Sequence, residues 1–184
     1  MTRIWRLVRR LAATDGAEIA EAALVLPLVF MLLLGIVWFG RAFNIYSTIT
    51  QAAQQGALLA ARNTCVLCGG GNGNDIATNN EVHTAVKAVM QASNIDPTQI
   101  KDSPNPGLFT CPSPPVPPGG CGGGPKIWVC HNVQLNPTGG LAGQPIQCGS
   151  AVSFDYPYQF YLPFTSLNLQ QVLLSAHAES RMEN

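Results

Sequence analysis

The six cysteines of this 184-residue chain, Cys65, Cys68, Cys111, Cys121, Cys130 and Cys148, are the residues best suited to covalent or metal chemistry. Cys65 and Cys68 stand in C-x-x-C spacing, which fits a redox dithiol or half of a tetrahedral zinc site, because in both the thiolate is the reacting or ligating species. Neither chemistry has its context. A zinc site of this kind needs a second ligand pair, and no second C-x-x-C exists; a thioredoxin-like dithiol needs a flanking βαβ pattern, and none surrounds it. An even cysteine count in an oxidising compartment points instead to structural disulfides, with the pairing left open by the spacing. No metal and no other cofactor is expected.

Other catalytic constellations are missing from the sequence. The three histidines have no obvious nucleophile or base beside them, and neither H-E-x-x-H nor G-x-S-x-G occurs. His83 falls beside an apolar stripe and reads as a surface residue rather than a ligand. His177, Glu179 and Arg181 alternate, so that solvated pairing on one face explains them better than catalysis. Gly69, Gly70, Gly71 and Gly73 form a linker, since no phosphate-loop pattern fits them. Ten basic and ten acidic residues cancel, and the only Lys/Arg cluster lies within the first ten residues, so no nucleic-acid partner is expected. The chain does not read as an enzyme.

Compartment follows from the N-terminal element. Residues 22–40 carry no charge, and at about 1.5 Å per residue such a helix spans roughly 28 Å, close to the ~30 Å hydrocarbon core of a bilayer. Arg3, Arg6, Arg9 and Arg10 crowd one flank while Arg41 alone adjoins the other, which places the N-terminus in the cytoplasm and the cysteines outside it. The apolar run exceeds the usual core of a secretory signal peptide, and no clean Ala-x-Ala cleavage site follows Trp38 and Phe39, which favours a retained single-pass anchor. Pro27 lies within the span, where it removes a backbone donor and is expected to kink or loosen the helix.

Helical periodicity continues beyond the span. Ala42, Ile45, Ile49, Ala52, Ala53, Gly56 and Ala60 recur every three or four positions up to Arg62, leaving Asn44, Ser47, Gln51 and Gln55 on more polar faces. Ala52, Gly56 and Ala60 are spaced by four and let another surface approach closely, either the chain's own domain or a helix of a neighbouring subunit. After the glycine linker, Thr78 and Glu81 have capping-box spacing, and Val82, Ala85, Val86, Val89 and Met90 mark a second amphipathic helix over about residues 79–93. Residues 103–125 hold eight prolines and six glycines, an irregular excursion that a disulfide through Cys111 or Cys121 would restrict. Residues 126–135 and 151–162 read as strands from their β-branched and aromatic content, with Pro157 marking an edge or a break after Tyr156. Residues 172–182 alternate apolar with polar and read as a last strand. The order predicts an α+β fold with a long N-terminal helix, one further helix and a short antiparallel sheet. Its divisions are a basic leader at 1–16, the span and its extension at 17–62, and an extracytoplasmic domain at 63–184.

The N-terminal residues also resemble a known family. Gly16, Glu21, the run ALVLP at 23–27, a leucine-rich core ending in Gly40-Arg41, and an Ala/Gln-rich helix over 51–62 appear in the order typical of TadE-like proteins, pseudopilins of tight-adherence (Flp-type) pilus systems. Tyr156-Pro157 and the closing Arg181-Met182-Glu183 are similar to that family more weakly. The resemblance implies a structural and assembly role in the bacterial inner membrane, with other pseudopilins and pilus assembly proteins of a Tad-type system as partners. It also implies cleavage by a prepilin peptidase between Gly16 and Ala17, which puts Glu21 five residues into the mature chain. There a carboxylate of Glu21 or Glu18 at the apolar boundary would pair with the freed α-amine of Ala17 or of a neighbour. Ala22 in place of an aromatic and Asp15 in place of a basic residue depart from the pilin-type pattern. Without cleavage, Gly16 is a helix-entry residue and the glutamates are favourable charges near a helix N-terminus. Two other readings are an anchored binding module or adhesin using the Pro/Gly-rich loop and the Trp128 region, and an envelope thiol oxidoreductase using Cys65 and Cys68.

Overall fold

Forty-eight consecutive residues, Thr14–Ala61, form one helix, α1, that runs through both stretches marked as helical by their sequence. The computed structural model describes residues 14–65, 75–111, 120–136, 146–159 and 171–182. Alanine and leucine dominate α1, and long favourable runs on both sides carry the helix through Pro27, where one backbone bond is lost. The chain divides into two compact units, residues 1–43 and 44–184, and α1 contributes to both.

In the first unit no described residue of the helix is buried. Every side chain from residue 18 to 33 is exposed, with Leu24, Leu26, Met31 and Leu32 between 63% and 72% accessible. A core helix of a soluble protein would bury such a run, whereas a helix apolar on all sides is what a hydrocarbon solvent requires. Among the described residues it is the one helix long and apolar enough to cross a membrane.

The second unit is the expected α+β domain. A second helix, α2 (Asn79–Ala92), starts at a complete capping box: Thr78 accepts from the Glu81 backbone N–H at 3.4 Å, and the Glu81 carboxylate accepts from the Thr78 backbone N–H at 2.7 Å. A short 3-10 turn, Pro97–Gln99, follows it. Two small strands, β1 (Asn63–Cys65) and β2 (Asp75–Ile76), pair antiparallel at the end of α1. The main sheet is antiparallel in the order β3 (Gly120–Gly122), β4 (Ile127–Gln134), β5 (Cys148–Tyr158), β6 (Val172–Arg181). The tail is thus a strand, as its alternation predicts.

Strand periodicity and register build the core. Ile127 faces Phe154 and Val129 faces Val152 across β4 and β5, while Val152 faces Ala178 and Phe154 faces Ala176 across β5 and β6. These side chains project from one face of the sheet, where Ile49, Ala52, Ala53, Ala57 and Ala60 of α1 and Val82, Val86 and Met90 of α2 cover them. A bulge between Cys130 and Val133, with Asn132 at φ 48, then turns Val133 to a second cluster with Cys130 and Ala151. Asn tolerates that left-handed conformation better than other non-glycine residues.

The alanine-rich end of α1 is one wall of the domain core, so of the two surfaces open to its small-residue face it is the chain's own domain that takes it. Of the edge and the break expected at Pro157 it is the edge that forms: Pro157 pairs with Leu173 on one side only, and β5 continues to Tyr158. Pairing with β4 has already stopped at Phe154, and the carbonyl of Asp155, two residues before Pro157, accepts from Lys101 on the side away from β6, so the missing N–H faces an edge where no ladder bond is needed. The described part of the Pro/Gly-rich stretch before Cys111 is irregular, as expected, but it is tied to the sheet. Residues 101–111 run beside β4, with Trp128 Nε1 donating to the Ser103 carbonyl at 2.9 Å, the Cys111 N–H to the Asn132 carbonyl at 3.0 Å and the Gln134 N–H to the Phe109 carbonyl at 2.8 Å. The same stretch supplies edge strand β3; residues 112–119 lie outside the described residues.

Candidate functional site

The residues singled out near the N-terminus all lie on the first turns of α1. Gly16, Glu18 and Glu21 are exposed, and the side chain of Ala17 lies outside the described residues. Glu18 and Glu21 are three apart and therefore share a helix face immediately before the uncharged run. No ion pair joins either carboxylate to another described residue.

The small-residue stripe is covered by the chain's own domain. Ala52, Ala53 and Ala60 are fully buried, and Gly56 sits where α1 meets both α2 and β5. A Cβ at position 56 would stand 2.7 Å from Val86 Cγ2, 3.4 Å from Val82 Cγ1 and 3.5 Å from Val152 Cγ2. Glycine is what lets the three elements close on one another. At the helix end, the buried Ser150 hydroxyl donates to the Ala60 carbonyl at 3.0 Å, satisfying one of the carbonyls that a helix C-terminus leaves unpaired. The opposite face of this stretch, with Ser47, Gln51, Gln54, Gln55 and Leu58, is exposed.

Four cysteines form two disulfides, Cys111–Cys148 and Cys121–Cys130, the second bridging directly paired residues of β3 and β4. Cys68 and the side chain of Cys65 lie outside the described residues. No group of three or more His, Cys, Asp or Glu positioned to hold a metal ion occurs among the described residues.

The histidines differ in surroundings. His177 Nε2 and Glu179 Oε1 are 3.0 Å apart on the exposed side of β6, the solvated pair that alternation predicts. His83 is half-buried rather than a plain surface residue: its Nε2 donates to the Ile127 carbonyl at 3.0 Å, and a Cβ on Gly123 would come within 2.6 Å of that nitrogen. Gly123, at φ 101, allows the turn before β4 to close on the imidazole. His131 Nε2 donates to Asn79 Oδ1 at 3.0 Å, while its buried Nδ1 has no hydrogen-bond partner among the described residues. These links escaped the sequence reading because their partners are 44 and 52 residues apart.

Burial pushes His83 and His131 below the ordinary histidine value of 6.5. Between their folded values and 6.5 the unfolded chain binds more protons than the folded one, so stability is full above 6.5 and falls as pH drops through that window. Backbone and hydroxyl hydrogen bonds from Thr78 and Thr98 hold Glu81 and Asp96 below their ordinary values of 4.5 and 3.8, so their contributions are lost only at lower pH. Thermal melting of the full chain in detergent is therefore expected to fall already as pH drops below 6.5, before the carboxylates titrate. The His83→Gln, His131→Gln double variant should show a flatter profile over that range.

The family model described as TadE-like protein matches residues 16–58, a segment that lies wholly on α1. No curated protein and no solved structure matches the chain.

Proposed function

We propose, from a TadE-like segment carried on one unbroken helix, that this chain is a minor pseudopilin, a structural and assembly component of a tight-adherence pilus system. The observation that carries the reading is the change in surroundings along the matched residues. They begin on an exposed, apolar helix suited to a bilayer and end on a face buried in a disulfide-linked α+β domain. Such a chain anchors a folded module at the membrane. In this reading the helix crosses the bacterial inner membrane once with its N-terminus in the cytoplasm, and the domain is extracytoplasmic, where its disulfides can form. Because the small-residue face is occupied internally, contacts with other pseudopilins or assembly proteins fall to the exposed face bearing Ser47, Gln51, Gln55 and Leu58.

Processing tests the reading. A prepilin peptidase acting between Gly16 and Ala17 leaves Glu21 five residues from a new α-amine, a partner for a carboxylate at the apolar boundary. Mass spectrometry of protein extracted from its native membrane is expected to show Ala17 as the N-terminus, and Gly16→Ala to leave the precursor uncut. Met1 or Thr2 at the end of essentially all wild-type molecules would overturn the processing step.

A further inference from the structure

Two of the chain's three lysines, Lys87 and Lys126, line one groove of about 520 Å³ on the domain. One wall is α2, where His83, Lys87 and Gln91 recur every four residues and so form a polar row beside the buried Val82, Val86 and Met90. The other wall is the turn from Gly123 to Lys126, and buried Ile100 and Ile127 lie beneath. His83 is tied to the Ile127 carbonyl, which fixes one wall against the other. The groove lining contains no acidic residue, although residues 44–184 carry seven acidic against five basic groups. Asp96, at the entry to the 3-10 turn, has its carboxylate held by the Thr98 N–H and hydroxyl, at 2.9 and 2.8 Å. Positive charge is therefore concentrated in a concave site on a domain that is acidic overall.

We propose that this groove binds an acidic peptide segment of a partner protein. Lys87 and Lys126 take its carboxylates from the two walls, Gln91 offers an amide, and Pro97 and Pro125 receive the aliphatic parts of its side chains. The lining has no Phe, Tyr or Trp ring on which a sugar would stack, its one imidazole is tied to the Ile127 carbonyl, and it has no arginine to grip a phosphate in bidentate fashion, which sets a peptide above a glycan or a phosphorylated ligand. The proposal stands independently of the pilus assignment, since it rests on the domain alone.

The test uses the full chain in neutral detergent with fluorescein-labelled hexaglutamate at low salt, read by fluorescence anisotropy. Saturable binding is expected, weakened about tenfold or more in K87E/K126E and in the milder K87Q/K126Q, as loss of two charge-assisted contacts predicts. R181E, which removes an exposed positive charge outside the groove, should leave affinity within about twofold. All these positions are exposed, so unchanged melting temperatures are expected and mark the losses as local. Absence of binding, an equal loss in R181E, or an oligouronate bound as tightly as hexaglutamate would each overturn the proposal.

Discussion

Gly56→Leu is expected to destabilise the domain by about 3 kcal/mol or more, the upper range for overpacking, and to lower its melting temperature on the order of 10 °C. The first added carbon would already meet Val86 Cγ2 at 2.7 Å, and three more would have to enter between α2 and β5. Neither neighbour can retreat cheaply. Val82 and Val86 are fully buried on α2, and Val152 is locked between Val129 and Ala178 by strand register. Gln55→Leu places the same side chain one residue away on an exposed face, and a change within about 0.5 kcal/mol is expected. Thermal melting of the two variants decides the matter. Equal, small effects would mean that the helix does not close on the sheet at position 56.

Removing the outer disulfide should have an effect of similar size. Cys111–Cys148 closes a sequence separation of 37 residues, for which loop entropy predicts about 3 to 4 kcal/mol, whereas Cys121–Cys130 closes 9 and is worth about 2 to 3 kcal/mol. The outer bridge also fixes the covering segment: Cys111 ends the stretch laid along β4, and Cys148 begins β5. Losing it should loosen residues 101–111 from the sheet while leaving the β3–β4 pair intact. Urea unfolding of Cys111→Ser/Cys148→Ser is expected to show the larger drop in midpoint, with Cys121→Ser/Cys130→Ser intermediate between it and wild type. The reverse order would show that chain entropy is not what the bridges control.

Local patterns carried much of this fold in the sequence. Thr78 and Glu81 sit within four residues of each other, so their reciprocal hydrogen bonds are readable from spacing alone, and the alternation of residues 172–182 gave β6 its inward alanines. The spacing of Ala52, Gly56 and Ala60 likewise marked a close approach, but not its partner, because Val82, Val86 and Val152 come from two later elements. Pro157 left an edge and a break both open for a related reason: whether a strand proline is costly depends on which side lacks a neighbour, and that depends on where β4 stops. The groove is the least legible feature. Its α2 row has a four-residue repeat, yet Lys126 joins it only because Gly123 lets the turn fold onto His83.

The way α1 meets the sheet also fixes the order in which the domain can fold. Ser150 bonds to a carbonyl 90 residues earlier, and the alanine face of the first helix is packed with Ala176 and Ala178 of the last strand. Contacts so distant along the chain are closed late and slowly, since loop entropy must be spent before they form. As synthesis proceeds, α1 and α2 are complete while β5 still lacks β6, and the apolar surface shared by all four has no cover. A nascent chain released before residue 172 would carry an unpaired β5 edge beside exposed Val152 and Phe154, a template for association with other unfinished chains. Completion of the C-terminal strand, rather than formation of the helix that dominates the sequence, is therefore the step expected to close the core of this domain.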